Sequence, residues 1–108
     1  MAYYMVQAAY TAEAIATLMK KQEDRVAVIG AVVEKLGGKL EGMWFSFGDY
    51  DVVGISQMPD NVSAAAFACA ISQSGILRAV KTTPLMTGAE FNKALKKAGG
   101  SGYRAPGA

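Results

Sequence analysis

The residues best equipped for chemistry form a short run, Gly48-Asp49-Tyr50-Asp51, between two apolar stretches. At the rim of a cleft, Asp51 could serve as a general base and Tyr50 as a hydrogen-bond donor, the pairing that proton transfer needs. The same run suits a tight turn, because glycine accepts positive φ and aspartate side chains bond nearby backbone N–H groups. Two cations join these candidates as binders of an anionic ligand. Lys81 lies in a strand-like stretch, where a lysine can hold an anion, pair with a carboxylate across the sheet or protect an exposed edge. Arg25 opens a helical stretch, an unfavourable place for a cation beside the helix dipole, which points to a partner such as Asp24, Asp51 or an anion, or to a surface ion pair. Trp44 is the aromatic expected to line such a cavity; core packing is the ordinary role for it and for Tyr3, Tyr4, Tyr10, Phe45 and Phe47.

Other chemistry is excluded by what the chain lacks. It contains no histidine and one cysteine, Cys69, so a zinc site would have to be built from carboxylates alone. No metal and no cofactor are expected. Cys69 sits among apolar neighbours with no histidine to activate it and is expected to be a buried, inert thiol. Gly37-Gly38 precedes a strand rather than a helix, so the glycines do not form a phosphate cradle.

Composition narrows the partners. The net charge is +2, and no basic cluster exceeds the pairs Lys20-Lys21 and Lys96-Lys97, which argues against nucleic acid. Charged residues make up 19% of the 108, below the roughly 25% usual for soluble domains. That deficit suggests surface buried against another copy. Met1 to Tyr10 lacks the pattern of a secretory signal, and no apolar run reaches the ~18 residues of a membrane span. The expectation is a soluble, cytoplasmic protein that touches no membrane.

The elements that must position these residues follow from periodicity. Tyr3 to Tyr10 predicts a first strand. Thr11 then caps a helix that breaks near residues 20–24 and resumes along Val26, Ile29, Gly30, Val33 and Leu36, stopping at Gly37-Gly38. Lys39 to Phe47 and Asp51 to Met58 predict a hairpin across Gly48-Asp49-Tyr50. Asp60 or Asn61 caps a second helix to about Ser74, Leu77 to Leu85 predicts the fourth strand, and the Thr87-x-x-Glu90 spacing opens a last helix. The order β-α-β-β-α-β-α predicts an α+β, ferredoxin-like βαββαβ domain: a four-stranded antiparallel sheet with an extra C-terminal helix. The domain is expected over residues 1–98 and a flexible tail over 99–108.

Several separated motifs agree with a known family. Tyr3-Tyr4-Met5-Val6-Gln7, Glu23-Asp24-Arg25, Leu36-Gly37-Gly38-Lys39-Leu40-Glu41, Phe47-Gly48-Asp49-Tyr50-Asp51, Pro59-Asp60-Asn61 and Val80-Lys81-Thr82-Thr83-Pro84-Leu85 occur in order over residues 3 to 97. In these the chain resembles the GYD-domain family of small bacterial proteins. The resemblance implies a ferredoxin-like fold that associates as dimeric α/β barrels do, and it implies no agreed activity.

The second helix bears on assembly independently. From Asn61 to Leu77 there is no charged residue, and alanines crowd the segment. A helix wet on one face normally carries charge there, so this one is expected to be sandwiched in a homo-oligomer, a dimer or higher. Two functions remain open on these grounds. One is binding or transformation of a small hydrophobic or anionic molecule in an aromatic-lined cleft; the other is a non-catalytic self-assembling or regulatory module.

Overall fold

The first strand sets the architecture because its two faces differ. In the computed structural model, which describes residues 1–107, β1 (Ala2–Tyr10) occupies a central position. It pairs antiparallel with β3 (Val52–Met58) on one side and with β4 (Leu77–Leu85) on the other. The edge strand β2 (Lys39–Phe45) pairs antiparallel with β3, giving the order β2-β3-β1-β4. Each crossover skips one strand, so β1 and β2 run parallel around β3, and β3 and β4 run parallel around β1. This is the split βαβ arrangement of a ferredoxin-like fold.

The helices lie on one face only. α1 (Ala12–Lys20) and α2 (Arg25–Lys35) fill the first crossover, and α3 (Asn61–Ser72) fills the second. The expected broken helix is thus two helices. Asp24 accepts the Ala27 N–H and begins α2 afresh, which fixes the break physically. Side chains alternate across a strand, so Tyr4, Val6, Ala8 and Tyr10 face the helices and Tyr3, Met5 and Gln7 face away. Tyr4 and Val6 pack with Val33 of α2, Ala64 and Phe67 of α3, and Met58. Ala8 and Tyr10 pack with Ala14 of α1 and with Val52. The predicted stripe on α2 holds for Ile29, Val33 and Leu36 but not for Val26, which is exposed.

The Gly37-Gly38 stop has a steric basis. Gly37 takes φ 88°, and a Cβ on Gly38 would lie 2.4 Å from the Gln57 carbonyl oxygen and 2.6 Å from Met58 Sδ. Only glycine lets the end of α2 approach β3 so closely. β2 stops at Phe45 and β3 starts at Val52, two residues inside the predicted limit on one side and one on the other, because Ser46 N–H already closes the hairpin onto the Asp51 carbonyl at 2.8 Å.

α4 (Gly88–Gly99) stands apart from this body. Thr87 and Glu90 form the complete capping box predicted from their spacing, and the helix extends one residue into the expected tail. No α4 residue is buried, and Phe91 and Leu95 are more than half exposed. The molecule is 60 Å long with a radius of gyration of 17.5 Å, against about 13 Å for a compact chain of this length. Ala108, the last residue of the expected tail, lies outside the described residues. No helix among the described residues is long and apolar enough to cross a membrane.

Candidate functional site

A cleft opens between α2, α3 and the helix-facing side of the sheet. Its floor is formed by Val6 and Ala8 of β1 and by Gly54 and Ser56 of β3. Of these, Val6 pairs in register with Gly54, while Ser56 pairs with Tyr4 and Ala8 with Val52. Three of the four floor residues carry little side chain, which leaves space beneath the helices. The walls are Val28, Ile29 and Val32 of α2 and Phe67, Ala70 and Ile71 of α3. The cavity measures about 190 Å³.

One charged residue lines this cleft among the described residues, Arg25, at the end where Tyr10 and Ser74 also sit. Arg25 Nη1 donates to Glu23 Oε1 at 2.7 Å, so its ion-pair partner is the residue two before it. Burial alone would lower the guanidinium pKa, but the interactions with Glu23 and the Tyr10 side chain outweigh it and leave the pKa raised. Arg25 Nε is buried and has no hydrogen-bond partner among the described residues; Thr82 Oγ1, outside the cleft, is in the same position. On its far side Arg25 also borders a second groove, of about 370 Å³, which carries Glu13 and Glu23.

The five residues singled out from sequence do not converge. Asp51 is tied to the backbone of β1. Its Oδ2 accepts the Tyr10 N–H at 2.8 Å, and its own N–H donates to the Ala8 carbonyl at 2.9 Å. The contact falls where β1 shifts register, between Ala9 and Tyr10. Tyr50 is half-buried beside it, its carbonyl accepting from Ser46 Oγ. Neither Asp51 nor Tyr50 lines the cleft.

Trp44 and Lys81 lie on the opposite face of the sheet. The pairs Trp44–Val53, Val53–Gln7 and Gln7–Lys81 make one row across it, with Trp44 and Lys81 at its two ends. Three strand spacings separate them, roughly 14 Å. Trp44 is 58% exposed and lies over Gly42, where a Cβ would meet its ring at 2.5 Å. Of these five, Arg25 alone belongs to the cleft.

Two further expectations are corrected. The cleft is lined by aliphatic side chains with only Tyr10 and Phe67 aromatic, because Phe45 is on the sheet margin and Phe47 is fully outside the strand. Cys69 is exposed, since α3 turns Ala64 and Phe67 inward and leaves its other side open. The cleft itself had a sequence signal: Gly54 and Ser56 are small residues at the centre of the inward-facing set Val52, Gly54, Ser56, Met58.

These features fit a recognised family. The GYD domain model matches residues 4–95, and the chain belongs to that family. Six solved chains match as well. Among them is the crystal structure of FFRP-DM1, 12% identical, with a TM-score of 0.51, covering 80% of this chain and 100% of that one. At that identity the likeness concerns the fold. No curated protein matches.

Proposed function

We propose that this domain binds a small, largely apolar molecule in the cleft between α2, α3 and the sheet. The observation that carries the reading is a cavity of about 190 Å³ at the centre of the fold, kept open by Ala8, Gly54 and Ser56. Concave, mostly apolar sites with a few convergent polar groups are the usual form of ligand pockets. The cleft carries no carboxylate among the described residues, which favours a reading of binding over proton transfer. Gly54→Leu fills the floor and tests it. Small aromatic and aliphatic probes should move the amide resonances of Gly54, Ser56 and Ile71 in the wild type and leave them unmoved in the variant. Probes that bind both proteins equally, or shift only residues outside the cleft, defeat the proposal.

Self-association is a second reading with its own support. The outer face of the sheet, with Met5, Val53, Ile55 and Trp44, has no helix over it, and α4 offers a second uncovered stripe of Phe91, Ala94, Leu95 and Ala98. Apolar faces of this extent normally meet a partner, and a second copy covers both at once. Ile55→Glu places a charge in the middle of the open face. The wild type should sediment as a dimer or larger and the variant as a monomer; a wild-type monomer at 100 μM (roughly the working range of such measurements) removes this reading.

A further inference from the structure

We infer that the ligand of the cleft is a small monocarboxylate with an apolar body, its carboxylate paired with the guanidinium of Arg25. The inference rests on the cleft being a binding site and names the class of molecule it takes.

Arg25 is the one charged residue on the lining among the described residues, so the cleft favours an anion over a cation of the same shape. Its hydrogen-bonding capacity is only partly used. Nη1 is held by Glu23 at 2.7 Å and the Tyr10 side chain also interacts with the guanidinium, while Nε is buried without a hydrogen-bond partner among the described residues. A buried donor left unpaired is unfavourable, and buried polar groups in folded proteins nearly always find an acceptor. A carboxylate suits a guanidinium edge better than other small acceptors, because its two oxygens match the spacing of parallel N–H donors. Arg25 is also the first residue of α2, where the helix dipole opposes a cation; an anion beside it relieves that opposition.

The rest of the cleft sets the body of the molecule. Val28, Ile29, Val32, Phe67 and Ile71 offer no further charge. A dry cavity near 150 Å³ holds benzene, so the space of about 190 Å³ here takes roughly eight heavy atoms, a single ring or a short branched chain with the carboxylate at its open end. Glu13 and Glu23 lie in the groove on the other side of Arg25, so the anion enters from the cleft side and not from there.

The test uses three isosteres on the full chain, read by amide chemical shifts of Gly54 and Ser56: phenylacetate, its neutral amide phenylacetamide and the cation phenethylamine. Phenylacetate should bind at least about tenfold more tightly than phenylacetamide, since bonds to charged groups exceed neutral ones by that order. Phenethylamine should be weakest. Arg25→Gln should bring the carboxylate and the amide to equal affinity, and Glu23→Gln should strengthen the carboxylate by freeing Nη1. Equal wild-type affinity for carboxylate and amide overturns the inference and leaves the cleft as a site for neutral molecules. That comparison needs no variant, so it stands even if Arg25→Gln misfolds. If none of the three, nor octanoate, shifts the cleft resonances, the cleft reading itself falls and this inference with it.

Discussion

Replacing Asp51 by alanine should destabilise the fold more than any other single change in the hairpin signature. The carboxylate accepts the N–H of Tyr10 at 2.8 Å, and Tyr10 is only 7% exposed. Removing it strips a charge-assisted bond and leaves a buried backbone donor without a partner, which together cost about 2 kcal/mol. In a domain of this size each kcal/mol lowers the melting temperature by roughly 4–8 °C, so a drop of about 10 °C is expected. Asp51→Asn retains a carbonyl acceptor and should recover about half of the loss. Asp49→Ala supplies the control: Asp49 is exposed and takes part through its backbone carbonyl, which accepts from Arg78, so its melt should stay within about 0.5 kcal/mol of wild type. Urea and thermal unfolding followed by far-ultraviolet circular dichroism measure all three. An Asp51→Ala protein as stable as wild type, but altered in ligand binding, would refute the structural role and return Asp51 to the site.

Three further outcomes follow from contacts elsewhere. Gly38→Ala should cost about 2 kcal/mol in the same urea melts, because its Cβ would sit 2.4 Å from a β3 carbonyl that cannot move aside, whereas Gly54→Ala meets its neighbours at an ordinary 3.7 Å and should change little. The Asp60 carboxylate caps α3 by accepting the Ser63 N–H at 2.8 Å, which lowers its pKa below the ordinary 3.8; the cap therefore stabilises the fold above that value and is lost as pH falls through the lowered one. Melting temperature measured from pH 6 down to about 2.5 should show wild type above Asp60→Asn at the upper end and the two converging at the lower end. No residue of α4 is buried, and a helix of about 12 residues is marginal in water. Its amides should exchange rapidly in an Ile55→Glu monomer and slowly in the assembled wild type.

Local chemistry made most of the fold legible in the sequence, and the pairing of strands concealed most of the site. β4 has the predicted limits, Leu77–Leu85, because a glycine turn and a capping box bracket it. The family match and the strand order follow from motifs that are likewise local. What a single chain does not display is which alternate residues the helices will cover. Trp44, Phe45 and Phe47 form one aromatic run in the sequence, yet the pleat and the end of β2 send them to the outer face, the sheet margin and solvent. Arg25 was readable as a cation in an awkward place, but its pairing with Glu23 and its position on the cleft depend on how α2 starts after the break at residues 20–24.

The two faces of the sheet divide the two proposed roles, and register is what keeps them divided. Val6, Ala8, Gly54 and Ser56 floor the cleft while Tyr3, Met5, Gln7, Val53 and Ile55 face the other way, so a slip of one residue would exchange Gly54 and Ser56 for Val53 and Ile55. Filling the floor with branched side chains would close the cavity and expose a small, polar set on the outside, removing both roles together. β1 already carries one such irregularity, since its register against β4 shifts between Ala9 and Tyr10. Asp51 clasps the chain on both sides of that shift, donating to Ala8 and accepting from Tyr10. The hairpin signature thus acts by holding the parity of the central strands. A motif with that task can mark a whole family while none of its residues touches a ligand; on the reading proposed above, the residues that choose the ligand are Arg25, Gly54 and Ser56.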